Sequence, residues 1–132
     1  MMPKRIQMTR QRPWRAENPD AVIVARPSRW GNPFRVMGGT VYGQRWHNVR
    51  ANWGLGVIRL DEYPYSTHGP ASGAVAAAVD KFRTLCEVER REHPRKYGEW
   101  IEPLRGKDLA CRCPLDQPCH ADVLLEIANG GD

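Results

Sequence analysis

No apolar run in this sequence approaches the ~20 residues needed to cross a bilayer. It also lacks a charged leader followed by an apolar core, so no secretory signal is expected. Both absences predict a cytoplasmic chain without membrane association. Thiols stay reduced there, so the four cysteines are expected to be metal ligands, catalytic groups or packed side chains, not disulfides. Acidic residues are scarce over residues 1–35, where eight Lys/Arg (Lys4, Arg5, Arg10, Arg12, Arg15, Arg26, Arg29 and Arg35) meet only Glu17 and Asp20. The rest of the chain carries twelve basic against thirteen acidic residues. An anionic partner, nucleic acid included, is therefore expected to be met through residues 1–35, the alternative being a merely solvated basic arm.

What is present is enough for one core and no more. Pro3, Pro13 and Pro19 predict an extended N-terminal arm over residues 1–20, with residues 21–132 as a single α/β domain. Ala21-Val22-Ile23-Val24-Ala25 is a continuous apolar run, the pattern of a strand buried on both faces. Phe34-Arg35-Val36-Met37 and Thr40-Val41-Tyr42, joined by Gly38-Gly39, read as a small hairpin. Beyond it no period emerges, even at Val57-Ile58-Arg59-Leu60, and residues 37–70 are expected to form an irregular lobe.

From Ser72 the pattern turns helical: Val75, Val79, Phe82, Leu85 and Cys86 share a face, and Pro94 should end that helix. Tyr97, Trp100, Ile101 and Leu104 mark a shorter helix closed by Gly106. Asp108-Leu109-Ala110-Cys111-Arg112 reads as a short buried strand, and a last helix should run from Cys119 to Asn129. Strands alternating with helices predict a Rossmann-like α/β fold with a mainly parallel sheet flanked by helices.

Two loops leave the carboxyl ends of predicted strands, where open parallel sheets bind ligands. One is Arg26-Pro27-Ser28-Arg29-Trp30-Gly31-Asn32-Pro33-Phe34 and the other is Cys111-Arg112-Cys113-Pro114-Leu115-Asp116-Gln117-Pro118-Cys119-His120. If the strands are parallel neighbours, the loops share one cleft. Arg26 and Arg29 would grip a phosphate or carboxylate with their donor forks. Trp30 offers a stacking face, Gly31 close backbone approach, and Ser28 and Asn32 hydrogen bonds. Alone, this loop reads better as a proline-rich turn packed by Trp30 and Phe34.

In the second loop, Cys119 and His120 fall at a helix start, where the positive dipole end favours anions and lowers a thiol pKa. Cys119 is the candidate nucleophile and His120 its acid–base partner, with Cys111 and Cys113 beside them. The same Cys111, Cys113, Cys119 and His120 supply a Cys3His set for zinc, the one cofactor the residues suggest. Their spacing argues against it: one pair is C-x-C, the other is directly adjacent, and adjacent residues diverge on a helix. Simple packing of small thiols at a strand–helix junction is the remaining alternative.

On these motifs, with Pro3-Lys4-Arg5-Ile6-Gln7, Trp14-Arg15 and Gly106-Lys107, the chain resembles the phage and actinobacterial family called domain of unknown function 4326. The resemblance implies no established activity. If the gene is phage-borne, the host cytoplasm is its setting. The C-terminal motif is also similar to that of a second uncharacterised group with Cys-x-Glu and Cys-His-Arg. If the two are related, the Cys113 position accepts a carboxylate, which weakens a purely structural zinc without removing it, since carboxylates also ligate metal. The expected function is binding or acting on a small anionic molecule such as a nucleotide, nucleoside or modified base. A nucleic-acid-binding module and a zinc-stabilised interaction protein are the alternatives.

Overall fold

The computed structural model describes residues 2–56 and 63–130, so the Val57–Leu60 run lies outside the described residues. The chain passes through β1 (Arg5–Gln7), α1 (Trp14–Glu17), β2 (Val22–Ile23), β3 (Arg35–Met37) and β4 (Thr40–Gly43). There follow α2 (Trp46–Ala51), β5 (Tyr63–Thr67), α3 (Ala71–Glu92), α4 (Pro94–Ile101), β6 (Leu109–Cys111) and α5 (His120–Asn129).

The architecture is mixed α/β, but the expected mainly parallel sheet is not what forms. The described strands divide into a parallel sheet in the order β1-β6-β2 and an antiparallel sheet in the order β3-β4-β5. The reason is the turn at Gly38-Gly39: a two-residue connection can only return the chain antiparallel. Gly38 sits at φ 60°, and a Cβ on Gly39 would lie 2.1 Å from the His68 carbonyl oxygen. Both positions therefore require glycine.

Every residue of β6 is buried, as suits the centre of a parallel sheet. β1 pairs with it in the register Ile6↔Ala110 and Gln7↔Cys111, and β2 in the register Val22↔Leu109 and Ile23↔Ala110. The apolar run at 21–25 was expected to be buried on both faces. Instead β2 is an edge strand and Ile23 is exposed, whereas Val24, just past the strand, is fully buried. The N-terminal segment is more than an extended arm, because it supplies β1 and the short α1.

The hairpin read at Phe34–Tyr42 appears as β3 and β4, and the described part of residues 37–70, otherwise expected to be irregular, adds α2 and β5. Aromatic packing compensates for the missing alternation there. Phe34 stacks on Trp46 and meets Tyr65 edge-on, and Trp53 lies parallel to Tyr97 of α4 at 6.2 Å. α3 is the spine, packing against α4, α5 and both β3 and β4. Its buried face is Ala74, Ala78, Phe82, Leu85, Cys86 and Glu89, one turn-spaced stripe. Glu89 is buried because the Arg50 Nε donates to it at 2.8 Å, which ties α2 to the spine. None of the described helices is long and apolar enough to cross a membrane.

Candidate functional site

β6 delivers Cys111 at the carboxyl end of the central parallel strand, and the bend at Arg112-Cys113 that follows keeps Cys113 beside it. Their sulfurs are 3.8 Å apart. After a proline-bounded loop, Cys119 takes the N-cap position of α5 with φ −147° and ψ 149°. Asp122, one turn on, accepts the Cys119 backbone N–H at 3.1 Å and fixes that entry.

Extended backbone at Cys119 turns its side chain toward His120 instead of away from it. The Cys119 sulfur lies 3.7 Å from His120 Nδ1. The donor atoms of Cys111, Cys119 and His120 all fall within 4.8 Å of one another. All three residues are buried, and Cys113 is half-buried. Cys111, Cys113, Cys119 and His120 thus form one cluster that could hold a metal. Cys86, by contrast, is a core residue of α3 and is not among these converging donors.

His120 is held from two sides. Its Nε2 lies 2.8 Å from the Val24 carbonyl oxygen, and since a carbonyl only accepts, Nε2 carries the proton and Nδ1 faces the thiols. The ring meets Phe82 edge-on at 5.2 Å. Burial alone would lower the His120 pKa, but hydrogen bonds and charge from Cys111 and Cys119 outweigh it and push it up to about 9. Hydrogen bonds from Cys113, Cys119 and His120 pull the Cys111 thiol far below its usual range, and hydrogen bonding to Cys111 raises Cys113. The cluster therefore favours a Cys111 thiolate over a second one beside it.

This cluster forms the floor of a cleft of about 300 Å³. Ala25, Arg26, Asn32 and Phe34 line it from the first loop, and Cys111, Arg112, Cys113, Pro118, Cys119 and His120 from the second. Arg35 and Val36 of β3 and Val75, Ala78 and Val79 of α3 complete the wall. The two loops meet because β2 and β6 are adjacent parallel strands. Burial lowers the Arg26 guanidinium, Cys111 and Cys113 act against this, and Arg35 and Arg112 add to it. Three guanidinium groups and the cysteines therefore share one electrostatic neighbourhood. Arg26 is exposed as a residue, so crowding around its charged head is what lowers it, and it remains charged.

The first loop divides between two environments. Arg26 and Asn32 face the cleft, but Ser28, Arg29 and Gly31 line a separate cavity of about 30 Å³ with Trp53 and Trp100. Trp30 does not wall the cleft: its Nε1 donates to the Trp100 carbonyl at 2.8 Å, and Trp100 Nε1 donates to the Arg29 carbonyl at 2.8 Å. Arg29 lies over the Trp30 ring at 4.5 Å. Asn32 uses its amide to hold backbone, donating to the Ala78 carbonyl and accepting from the Phe34 N–H. The sequence reading missed Arg35 and Arg112 as cleft residues. Arg112 lies between two singled-out cysteines and Arg35 directly follows Phe34, so adjacency to both motifs was the available signal.

The family described as domain of unknown function (DUF4326) matches residues 6–130. The chain belongs to this family. A relative from Enterobacteria phage T4, described as an uncharacterized 12.4 kDa protein in the nrdA-td intergenic region, is 32% identical over 63 residues. That match covers 46% of this chain and 55% of the relative, so the chain spans about half the length of the curated protein it matches. No solved structure matches the chain. The membership links the chain to phage proteins and brings no activity with it.

Proposed function

We propose that this DUF4326 chain binds a small anionic molecule with an apolar or planar body, a nucleoside monophosphate being the best fit. The observation that carries this reading is the shared cleft. Arg26, Arg35 and Arg112 gather over the Cys/His cluster, and Phe34, Val36, Val75 and Val79 form an apolar wall. Guanidinium groups suit a phosphate, and the wall suits a base or sugar face. A volume of about 300 Å³ sits at the lower end of small-molecule sites. The position, outside the carboxyl ends of parallel strands, is where Rossmann-like sheets hold nucleotides, and that support is by analogy. Reduced thiols at the floor suit the host cytoplasm. A metal held by the same cluster is compatible with binding in this cleft, whereas the nucleophile and proton-transfer roles expected of Cys119 and His120 require a cluster free of metal.

Nucleic-acid binding through residues 1–35 draws less support from the geometry. The Arg5 side chain is covered and pairs with Asp122, Lys4 pairs with Asp108, and Arg12 pairs with Glu17. The test is thermal stabilisation of the intact protein by nucleoside monophosphates, nucleosides and inorganic phosphate. A monophosphate at 100 Kd should add about 2.7 kcal/mol, and Arg26→Ala or Arg112→Ala should remove the shift. If no monophosphate stabilises the protein beyond inorganic phosphate, the reading fails.

A further inference from the structure

We infer that the floor of the cleft is a tetrahedral zinc site whose ligands are the sulfurs of Cys111, Cys113 and Cys119 and Nδ1 of His120. Three soft sulfurs and one imidazole select zinc over magnesium or calcium, which take oxygen ligands. Zinc bonds of about 2.3 Å to sulfur and 2.05 Å to nitrogen in a regular tetrahedron require S···S edges of about 3.8 Å and S···N edges of about 3.6 Å. The Cys111–Cys113 sulfurs are 3.8 Å apart and Cys119 Sγ to His120 Nδ1 is 3.7 Å, so two independent edges already have the length a zinc ion needs. The donor atoms of Cys111, Cys119 and His120 all lie within 4.8 Å of one another, and Cys113, outside that trio but 3.8 Å from the Cys111 sulfur, completes the figure by turning its half-buried side chain toward it.

The tautomer is set for coordination. Nε2–H donates to the Val24 carbonyl, so Nδ1 is the nitrogen aimed at the sulfurs, the outer-shell arrangement that metal-bound histidines use, and zinc takes the place of any proton Nδ1 carries. Cys119 has its own outer shell: Asp122 holds its N–H, and Arg5 pairs with Asp122 Oδ1 at 3.3 Å. The objection from spacing dissolves in the backbone. Adjacent residues diverge on a helix, but Cys119 is extended at the N-cap and only His120 is helical, so their donors converge.

Four protein ligands leave no open coordination position, so this zinc is structural: it pins the loop 112–118 between β6 and α5. Arg112, between two ligands, is thereby held over the cleft. On binding, zinc displaces the thiol protons, which pass to solvent. The inference does not depend on an anionic ligand, and its test contains none.

The experiment is elemental analysis of the intact protein purified under reducing conditions without chelator, followed by cobalt(II) reconstitution of chelator-stripped protein. One zinc per chain is expected, together with intense visible cobalt bands of tetrahedral geometry and a thiolate charge-transfer band. Cys113→Ser, at the least buried ligand, should weaken cobalt binding at least tenfold, and Cys86→Ala should leave stoichiometry at one. Absence of zinc together with absence of tetrahedral cobalt bands in reduced wild-type protein would overturn the site. So would full, unweakened cobalt binding by Cys113→Ser. If a ligand variant does not fold, the wild-type metal count and spectrum still decide.

Discussion

His120 Nε2 donates to the Val24 carbonyl at 2.8 Å, a bond between residues 96 apart in the chain. It joins the first turn of α5 to the backbone entering the 26–34 loop, so one contact registers both loops that line the cleft. Replacing His120 with Phe keeps the aromatic volume but leaves the buried Val24 carbonyl without its donor. Such an orphaned acceptor costs about 1–3 kcal/mol. Urea denaturation of wild type and His120→Phe, both with chelator, isolates this loss from any metal contribution. Equal midpoints would show that the bond has no structural role.

Arg5 was expected on a basic arm facing an anionic partner, and the structure uses it inward. Its side chain is only 8% exposed. It donates to the carbonyls of Leu115 at 2.9 Å and Gln117 at 2.8 Å while pairing with Asp122. One guanidinium thus supports both the cysteine loop and the carboxylate that fixes Cys119. Arg5→Met should destabilise the protein by about 2–4 kcal/mol, because two carbonyls and a carboxylate lose a charged donor. Arg5→Lys should restore little, since a point charge cannot span three acceptors. A wild-type-like midpoint for Arg5→Met in thermal denaturation would refute the inward role.

α3, α4 and α5 were legible because their apolar stripes repeat at 3.6 residues and their ends carry local signals, whereas the short α1 and α2 carry no such stripe. Pro94 separates α3 from α4, and Gly130 follows the last residue of α5. β6 was legible as a short apolar run between charged neighbours. β1 was not, because Ile6 is the buried member of a three-residue strand whose other side chains, Arg5 and Gln7, are polar. Its pairing with β6 spans about a hundred residues, which local pattern cannot encode. The candidate site was half legible. Donor chemistry identified Cys111, Cys113, Cys119 and His120, but Trp30 looks like a ligand platform in sequence because nothing local reveals its exchange of hydrogen bonds with Trp100. The apparent divergence of Cys119 and His120 came from placing both in the helix, and a one-residue boundary reversed it.

Tyr97 gives the protein a predicted weakness at high pH. Burial, followed by the charge of Cys86, pushes its hydroxyl up to about 12, against the opposing pull of Arg90 and Arg105. In the unfolded chain the same hydroxyl ionises near its ordinary value of about 10. Between those values the unfolded state has released a proton that the folded state keeps, so stability must fall as pH rises. The contribution is fully present below about pH 10 and lost as pH rises through about 12, on the order of 1–2 kcal/mol after allowance for solvent screening. Burial also raises the Cys86 thiol, whose loss begins earlier, near the ordinary thiol range of about pH 9. Urea midpoints measured from neutral to strongly alkaline pH should therefore decline in two stages. Tyr97→Phe should lessen the decline only above about pH 10, whereas Cys86→Ala should remove the onset near pH 9 and lessen the decline throughout, because the buried thiol keeps its proton across that range in the folded state. If Tyr97→Phe declines as steeply as wild type above about pH 10, the buried hydroxyl is not the group responsible.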